Sequence, residues 1–357
     1  MWKKEIETIN IYSMSAKPIR IAINGFGRIG RILTRVVWDN PAFEIVAINS
    51  TSTCDVYAHL IKYDSIYGVW GVETGFSEND DALIIDGKSI PFLHERNIED
   101  LNWGEMDVDI VIESTGVFRD RVSTEKHIKS GAKHVLISAP AKEEDITMIY
   151  GINHELFDPA EHKIVSAASC TTTCLAPVVK VLNKAYGIKH GTVITTHSYT
   201  NDQHLVDHPH KKKSFRRSRA AGLSIIPTET GAAKAIGKVI PEMKGKLDGN
   251  ALRVPIPTTS IISFIAELEK ETDRDAVNAE FERAVKEDFP GNVDVSKIGL
   301  VSVDYVGSPY ASTIDTLSTL VTDGTQVFVQ AWYDNEWGYV EQMVKLIEEM
   351  GKKIHSA

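Results

Sequence analysis

Residues 19–30 read Ile19-Arg20-Ile21-Ala22-Ile23-Asn24-Gly25-Phe26-Gly27-Arg28-Ile29-Gly30. The first five are a short, mostly apolar run that predicts a buried strand. Apolar residues then return with helical spacing at Ile32, Leu33, Val36 and Val37, and the next strand is expected over Phe43 to Ile48. A strand, G-x-G-x-x-G, a helix and a strand follow one another within about 30 residues, which is the order of a dinucleotide-binding βαβ unit. The three glycines serve different purposes. Gly25 allows the tight turn, Gly27 lets a pyrophosphate approach the backbone, and Gly30 lets helix pack on strand. The glycine pattern alone is weak. Its place between a strand and a helix gives it weight.

One piece of that pattern is missing. An acidic residue about 20 positions on usually holds the adenosine ribose hydroxyls, and here Ala47-Ile48-Asn49-Ser50-Thr51 puts Ser50 at that place. A carboxylate would repel the extra phosphate of NADP, whereas a hydroxyl can donate to it. Ser50 therefore removes a barrier to NADP, although no neighbouring Arg or Lys in the sequence adds a positive case.

Further strands are expected at Val108–Ile112, His134–Ser138 and Lys163–Ser166, with polar turns and one helix near Ser123–Ser130 between them. Gly116 and Ser138 end strands, where ligands of open α/β sheets gather. From Gly191 the pattern changes. Thr192–Thr196 is β-branched, Leu247–Glu267 reads as strands broken at Pro255 and Pro257, and Val327–Trp332 is another strand. Helices are expected at Asp273–Phe289 and Glu336–Met350. Mixed strands followed by helices suggest an antiparallel sheet backed by helices.

Composition narrows the class. The 357 residues suffice for two domains, with 43% hydrophobic and 25% charged residues. No stretch approaches the ~18–20 apolar residues of a membrane span, and the N-terminus lacks the apolar core of a secretion signal. The net charge of −10 argues against nucleic-acid binding. Three cysteines make no disulfide framework, so a reducing cytoplasm fits. Cys54, Cys170 and Cys174 show no zinc spacing, and no metal is expected.

Cys170 carries the chemistry of the second half. It sits in Ser169-Cys170-Thr171-Thr172-Thr173-Cys174, where a β-like run turns helical through Leu175, Val178, Val179, Val181 and Leu182. Unpaired N–H groups and the positive helix end favour a thiolate there. His197, in Thr195-Thr196-His197-Ser198-Tyr199-Thr200, offers a base. Cys174, one helical turn on, reads as packed rather than catalytic. Lys211, Lys212, Lys213, Arg216, Arg217 and Arg219 form a basic run. Its lysines fit a solvated loop and its arginines fit phosphate recognition. Thr228–Lys234 adds a helix start suited to an anion. Arg253 lies inside an apolar strand, where a charge needs either a bound anion or a structural carboxylate.

On these motifs, together with Thr230-Gly231-Ala232-Ala233-Lys234 and Trp332–Tyr339, the chain resembles the phosphorylating glyceraldehyde-3-phosphate dehydrogenases from Arg20 to about Gly351. The resemblance implies a tail (1–17), an α/β Rossmann-type NAD(P)-binding domain (18–169) and an α+β catalytic domain with a mostly antiparallel sheet (170–335). The C-terminal helix (336–357) is expected to pack with the first domain. It also implies Cys170 as nucleophile and His197 as base. Ser169, Thr171, Thr230 and Gly231 would hold inorganic phosphate, and Thr200 and Arg253 the phosphate of D-glyceraldehyde 3-phosphate, with Arg217 between the two. Arg28 and Ile29 would contact the cofactor pyrophosphate region, Arg96 and Ser138 the cofactor elsewhere, and Asn335 the nicotinamide carboxamide. NAD, with NADP admitted, and a homotetramer complete the expectation. The family usually carries Asn where Ala167 and Thr173 stand, and Asp at Ser50. Erythrose-4-phosphate dehydrogenase, or a relative that binds without catalysis, is the alternative.

Overall fold

A computed structural model describes residues 17–211 and 213–357. Residues 1–16 of the expected tail, and Lys212 of the basic run, lie outside the described residues. The chain divides into two compact units. One comprises the described part of Met1–Ile146 with Phe157–Ser166 and Val344–Ala357; the other comprises Thr147–Leu156 and Ala167–Met343.

In the first unit the elements run β1 (Ile19–Asn24), α1 (Arg28–Val37), β2 (Phe43–Asn49), α2 (Cys54–Lys62), β3 (Tyr63–Asp64), β4 (Gly68–Val69), β5 (Thr74–Phe76), β6 (Ala82–Ile85), β7 (Lys88–Leu93), β8 (Ile110–Glu113), α3 (Arg121–Lys129), β9 (His134–Ile137), β10 (Ile146–Thr147) and β11 (Ile164–Ser166). The main sheet has the order β10-β11-β9-β8-β1-β2-β7-β6-β5. β1 pairs in parallel with β2 on one side and β8 on the other, so the winding reverses between β1 and β8. Ligands of such sheets bind at the carboxyl ends beside that reversal. The apolar runs explain the strands: Ile21, Ala22, Ile23, Ile110, Val111 and Ile112 are fully buried, as expected for parallel strands covered on both faces. After β2 the sequence pattern assigns no element before Val108, and there the chain forms α2 and the antiparallel edge β5–β7. α2 is held in place by burying Cys54, Ala58 and Ile61.

The second unit holds α4 (Cys170–Tyr186), β12 (Ile188–Ser198), β13 (Ile226–Glu229), α5 (Ala232–Val239), β14 (Leu247–Val254), β15 (Ser260–Leu268), α6 (Arg274–Glu287), β16 (Val293–Ser296), β17 (Ser312–Thr322) and β18 (Gln326–Tyr333). The final helix, α7 (Trp337–Ser356), begins in this unit and ends in the first. The sheet order is β13-β14-β12-β15-β18-β17-β16. Its pairings are antiparallel except β12 with β14 and β16 with β17. α4, α5 and α6 cover the sheet through Leu175, Val178, Ile236, Val277 and Phe281, which pack with Val193, Phe264 and Val329. β15, and β12 from Val193 to His197, alternate buried and half-buried positions, the period of strands with one face on a core.

Candidate active site

In the first unit, a cavity of about 410 Å³ opens where the ends of β1, β2, β7 and β8 converge. Gly25, Gly27, Ser50, Glu95, Arg96 and Thr115 are among its walls. Gly25 has φ +98°, and a Cβ there would meet Thr115 N at 2.6 Å. A Cβ on Gly30 would meet the Gly25 carbonyl oxygen at 2.5 Å, so helix and turn touch. At Gly27 a Cβ would meet nothing within 4 Å. That open space lies at the start of α1, whose N-cap has no side-chain hydrogen bond, so its first N–H groups can meet a phosphate. The residues present fit a dinucleotide.

Polar side chains fix these strand ends to one another. Asn24 Nδ2 donates to Glu113 Oε2 (2.6 Å), and Asn49 Nδ2 donates to Asn24 Oδ1 (2.7 Å). Asn49 Oδ1 accepts from Glu95 N at 2.9 Å, which holds the segment carrying Arg96 against the cavity. Ser50 Oγ lies 2.5 Å from the Tyr57 hydroxyl, a partner the sequence reading missed. Arg96, far from Ser50 in sequence, lines the same cavity, so the fold supplies the cation that was absent from the neighbouring sequence. Arg28 has partners within the chain. Its guanidinium pairs with Asp64 and lies over the Tyr67 ring at 5.5 Å, which leaves only its backbone toward α1's start. Ser138 Oγ donates to the Glu113 carbonyl (3.1 Å). Arg28, Ile29, Gly30 and Ser138 do not line the cavity.

In the second unit, Cys170 is the first residue of α4, and Ser169 caps it by accepting from Thr172 N (3.1 Å). Ala168, just before the cap, has φ +58°, an uncommon conformation for a side chain with a Cβ. Tyr339 donates its hydroxyl to the Ala168 carbonyl at 3.2 Å. Cys170 Sγ lies 3.5 Å from His197 Nε2. β12 and β14 run in parallel with His197 opposite Arg253. Arg253 Nη1 therefore sits 2.7 Å from His197 Nδ1 and donates to the Ser198 carbonyl at 2.9 Å. A guanidinium only donates, so with Nδ1 as acceptor the ring proton is on Nε2, facing the sulfur. Nδ1 is also 2.8 Å from the Ser198 carbonyl. When Nδ1 is protonated it donates there, and Nε2 is free to take a proton.

Electrostatics sharpen this. Burial, then the Arg253 charge, push His197 down to about 3, so the imidazole is neutral near pH 7 and, while Arg253 stays against Nδ1, only a weak proton acceptor. Burial pushes the Cys170 thiol up, against the pull of Arg253 and the Thr171 hydroxyl and N–H. The helix-start argument alone thus overstates the thiolate, because desolvation opposes it and Arg253 supplies the main compensation. Arg253 Nε is buried without a partner. Among the described residues no carboxylate lies within ion-pair range of it, which leaves a cation for an anionic ligand.

Around this trio, the Tyr333 hydroxyl bridges Thr171 Oγ1 and Thr195 Oγ1, each at 2.9 Å, and its ring meets His197 edge-on at 6.0 Å. Sequence reasoning missed Tyr333 and Thr195. The alternation Val193, Thr195, His197, all buried on one face of β12, was the available signal for Thr195. Ser198 and Ser260 hydroxyls both donate to Asn335 Oδ1 (2.9 and 2.8 Å), which orients the amide so that Nδ2 is its remaining donor. Thr200 is exposed, with its N–H on Gln203 (2.9 Å). Arg217 pairs with Asp202. Thr230 Oγ1 accepts from Ala232 N (3.2 Å) beside the open Gly231. Among the described residues, no hydrogen bond links Thr200, Arg217, Thr230 or Gly231 to the Cys170–His197–Arg253 trio. Cys174 is buried, bonded to Ser312 (3.5 Å), with its thiol held well above the ordinary range by burial.

Comparison with known proteins adds two family matches. Residues 19–121 match the NAD binding domain of glyceraldehyde 3-phosphate dehydrogenase, and residues 169–335 match its C-terminal domain. A glyceraldehyde-3-phosphate dehydrogenase of Geobacillus stearothermophilus is 50% identical over 335 residues, 94% of this chain and 99% of that protein. One from Streptomyces coelicolor is 49% identical over 338 residues, with the same two coverages.

Proposed function

The chain belongs to the glyceraldehyde-3-phosphate dehydrogenase family, and from that membership we infer how its residues divide the chemistry. It is an NAD-dependent oxidoreductase that oxidises D-glyceraldehyde 3-phosphate with inorganic phosphate to 1,3-bisphosphoglycerate, a glycolytic reaction. Cys170 Sγ attacks the aldehyde carbon to form a hemithioacetal, which splits one difficult conversion into two easier ones. Bound NAD supplies the hydride acceptor. His197 Nε2 removes the hemithioacetal hydroxyl proton during that oxidation, the work of a positioned general base, and a thioester remains on Cys170. Inorganic phosphate then attacks the thioester carbon, the C–S bond breaks, and the thiolate is regenerated.

Arg253 and Thr200 hold the substrate's own phosphate, so binding energy distant from the aldehyde orients it. Ser169, Thr171, Thr230 and Gly231 receive the attacking phosphate, with Arg217 released from Asp202 to assist. Anion binding at Arg253 also acts on the base. A phosphate that draws the guanidinium off Nδ1 lifts the repulsion that depresses His197, and Nδ1–H can then donate to Ser198. Asn335 Nδ2 suits a carboxamide carbonyl.

The observation that carries this reading is the 3.5 Å approach of Cys170 Sγ to His197 Nε2 with Arg253 behind the ring. Initial rates with NAD, with and without inorganic phosphate, test it. The expected result is phosphate-dependent turnover of glyceraldehyde 3-phosphate. Equal turnover of erythrose 4-phosphate without phosphate overturns it in favour of the hydrolytic relative. Ser50 and Arg96 in one cavity support use of NADP beside NAD. Leu205, Phe215 and Leu223 are each about nine-tenths exposed, large apolar side chains that self-association to a homotetramer would cover. Three free thiols, one of them the nucleophile, support a reducing, cytoplasmic setting.

A further inference from the structure

A second constellation of metal-ligating side chains lies in the first unit. Cys54 opens α2, Asp80 stands in the turn between β5 and β6, and His94 directly follows β7. One ligand atom from each lies within 4.8 Å of the other two, the one such group of three among the described residues. We propose that Cys54, Asp80 and His94 bind a borderline divalent cation, zinc foremost, with water completing the shell.

The donor set points to this class of ion. A thiol sulfur, an imidazole nitrogen and a carboxylate oxygen together suit zinc or cobalt rather than magnesium or calcium, which take oxygen alone. A tetrahedral zinc site needs its ligand atoms roughly 3.3–3.8 Å apart, so the side chains close inward by about 1 Å. The backbone already holds the three residues together. Asp80 Oδ1 accepts from Cys54 N (2.6 Å), Cys54 Sγ donates to the Asp80 carbonyl (3.4 Å), and His94 Nε2 lies 2.7 Å from that same carbonyl. Asp80 Oδ2 is 3.4 Å from His94 Nε2. The thiol and the imidazole thus converge on one backbone carbonyl, that of Asp80, which gathers them beside its carboxylate. With the cation bound, His94 carries its proton on Nδ1 and presents Nε2 to the ion. The thiol is buried while Asp80 and His94 are each about two-fifths exposed, so the site has a sealed sulfur side and an open side through which an ion can reach it.

The Cys170–His197 pair could also take a metal, so the test is made in a full-length Cys170→Ser protein titrated with Co²⁺. A cobalt–thiolate charge-transfer band saturating at one equivalent, and bleached by Zn²⁺, is the expected result. Adding Cys54→Ser should abolish the band. Adding His94→Gln, at a partly exposed side chain, should weaken Co²⁺ binding at least tenfold. NAD binding checks that each variant is folded, and the His94→Gln comparison decides the matter if the Cys54 variant is not. No band in the Cys170→Ser protein, a band that survives Cys54→Ser, or cobalt affinity unchanged by His94→Gln overturns the proposal.

Discussion

Two alanines placed two residues apart in the first turn should fail in opposite ways. At Gly25 the backbone has φ +98°, and the new Cβ would sit 2.6 Å from Thr115 N and 2.8 Å from the Ser114 carbonyl carbon. The left-handed conformation costs about 1–2 kcal/mol. Forcing backbone apart at such contacts costs about 1–3 kcal/mol more. A total of at least about 2 kcal/mol lowers the melting temperature of a unit this size by at least about 4 °C. At Gly27 the φ is −74°, which any residue adopts, and the Cβ meets no protein atom within 4 Å. Stability should therefore change by less than about 1 kcal/mol, the scale of a helix N-cap substitution. The methyl group would instead occupy the space kept for the pyrophosphate, and NAD affinity should fall at least tenfold, about 1.4 kcal/mol. Thermal melts of the NAD-free proteins and calorimetric NAD titrations separate the two effects. If Gly27→Ala binds NAD as the parent does, or Gly25→Ala melts at the parental temperature, the reading of this turn is wrong.

Three further outcomes are expected. His197→Asn should slow turnover by roughly 10²–10⁴-fold, the usual range for general acid–base catalysis; an unaltered pH–rate profile removes His197 from the mechanism. Arg253→Gln takes away the cation that pulls the Cys170 thiol down. The inflection in the pH dependence of Cys170 alkylation should therefore move upward and the rate at pH 7 should fall, and an unchanged profile counts against that coupling. Ser50→Asp should depress kcat/KM with NADP far more than with NAD, and equal losses with the two cofactors would remove Ser50 as a selector.

What could be seen in the sequence depended on how local its cause was. The turn Asn24–Gly30 was legible because a buried-strand run gives way to a helical period across three glycines with separate roles. Cys170 was legible for the same reason, since Ser169 and the apolar series from Leu175 mark a helix start. α2 and β5–β7 were not, because Asp, Gly and Ser punctuate residues 64–81 and the strands are only three to six residues long. The neighbourhood of the catalytic pair was also hidden. Arg253 reaches His197 through a parallel register across 56 residues, and Tyr333 reaches Thr171 across 162. Local pattern says nothing about either. The same holds for Cys54, Asp80 and His94, separated by 26 and 14 residues, which no compact zinc motif would reveal.

The central assignment is a covalent acyl group on one sulfur, and it can be weighed. Mixing the protein with NAD and glyceraldehyde 3-phosphate in phosphate-free buffer, quenching in acid and mapping peptides by mass should show the phosphoglyceryl mass on the Cys170 peptide. Adding inorganic phosphate before the quench should discharge it. An unmodified Cys170 peptide alongside NADH formation, or the adduct on another residue, would contradict the account.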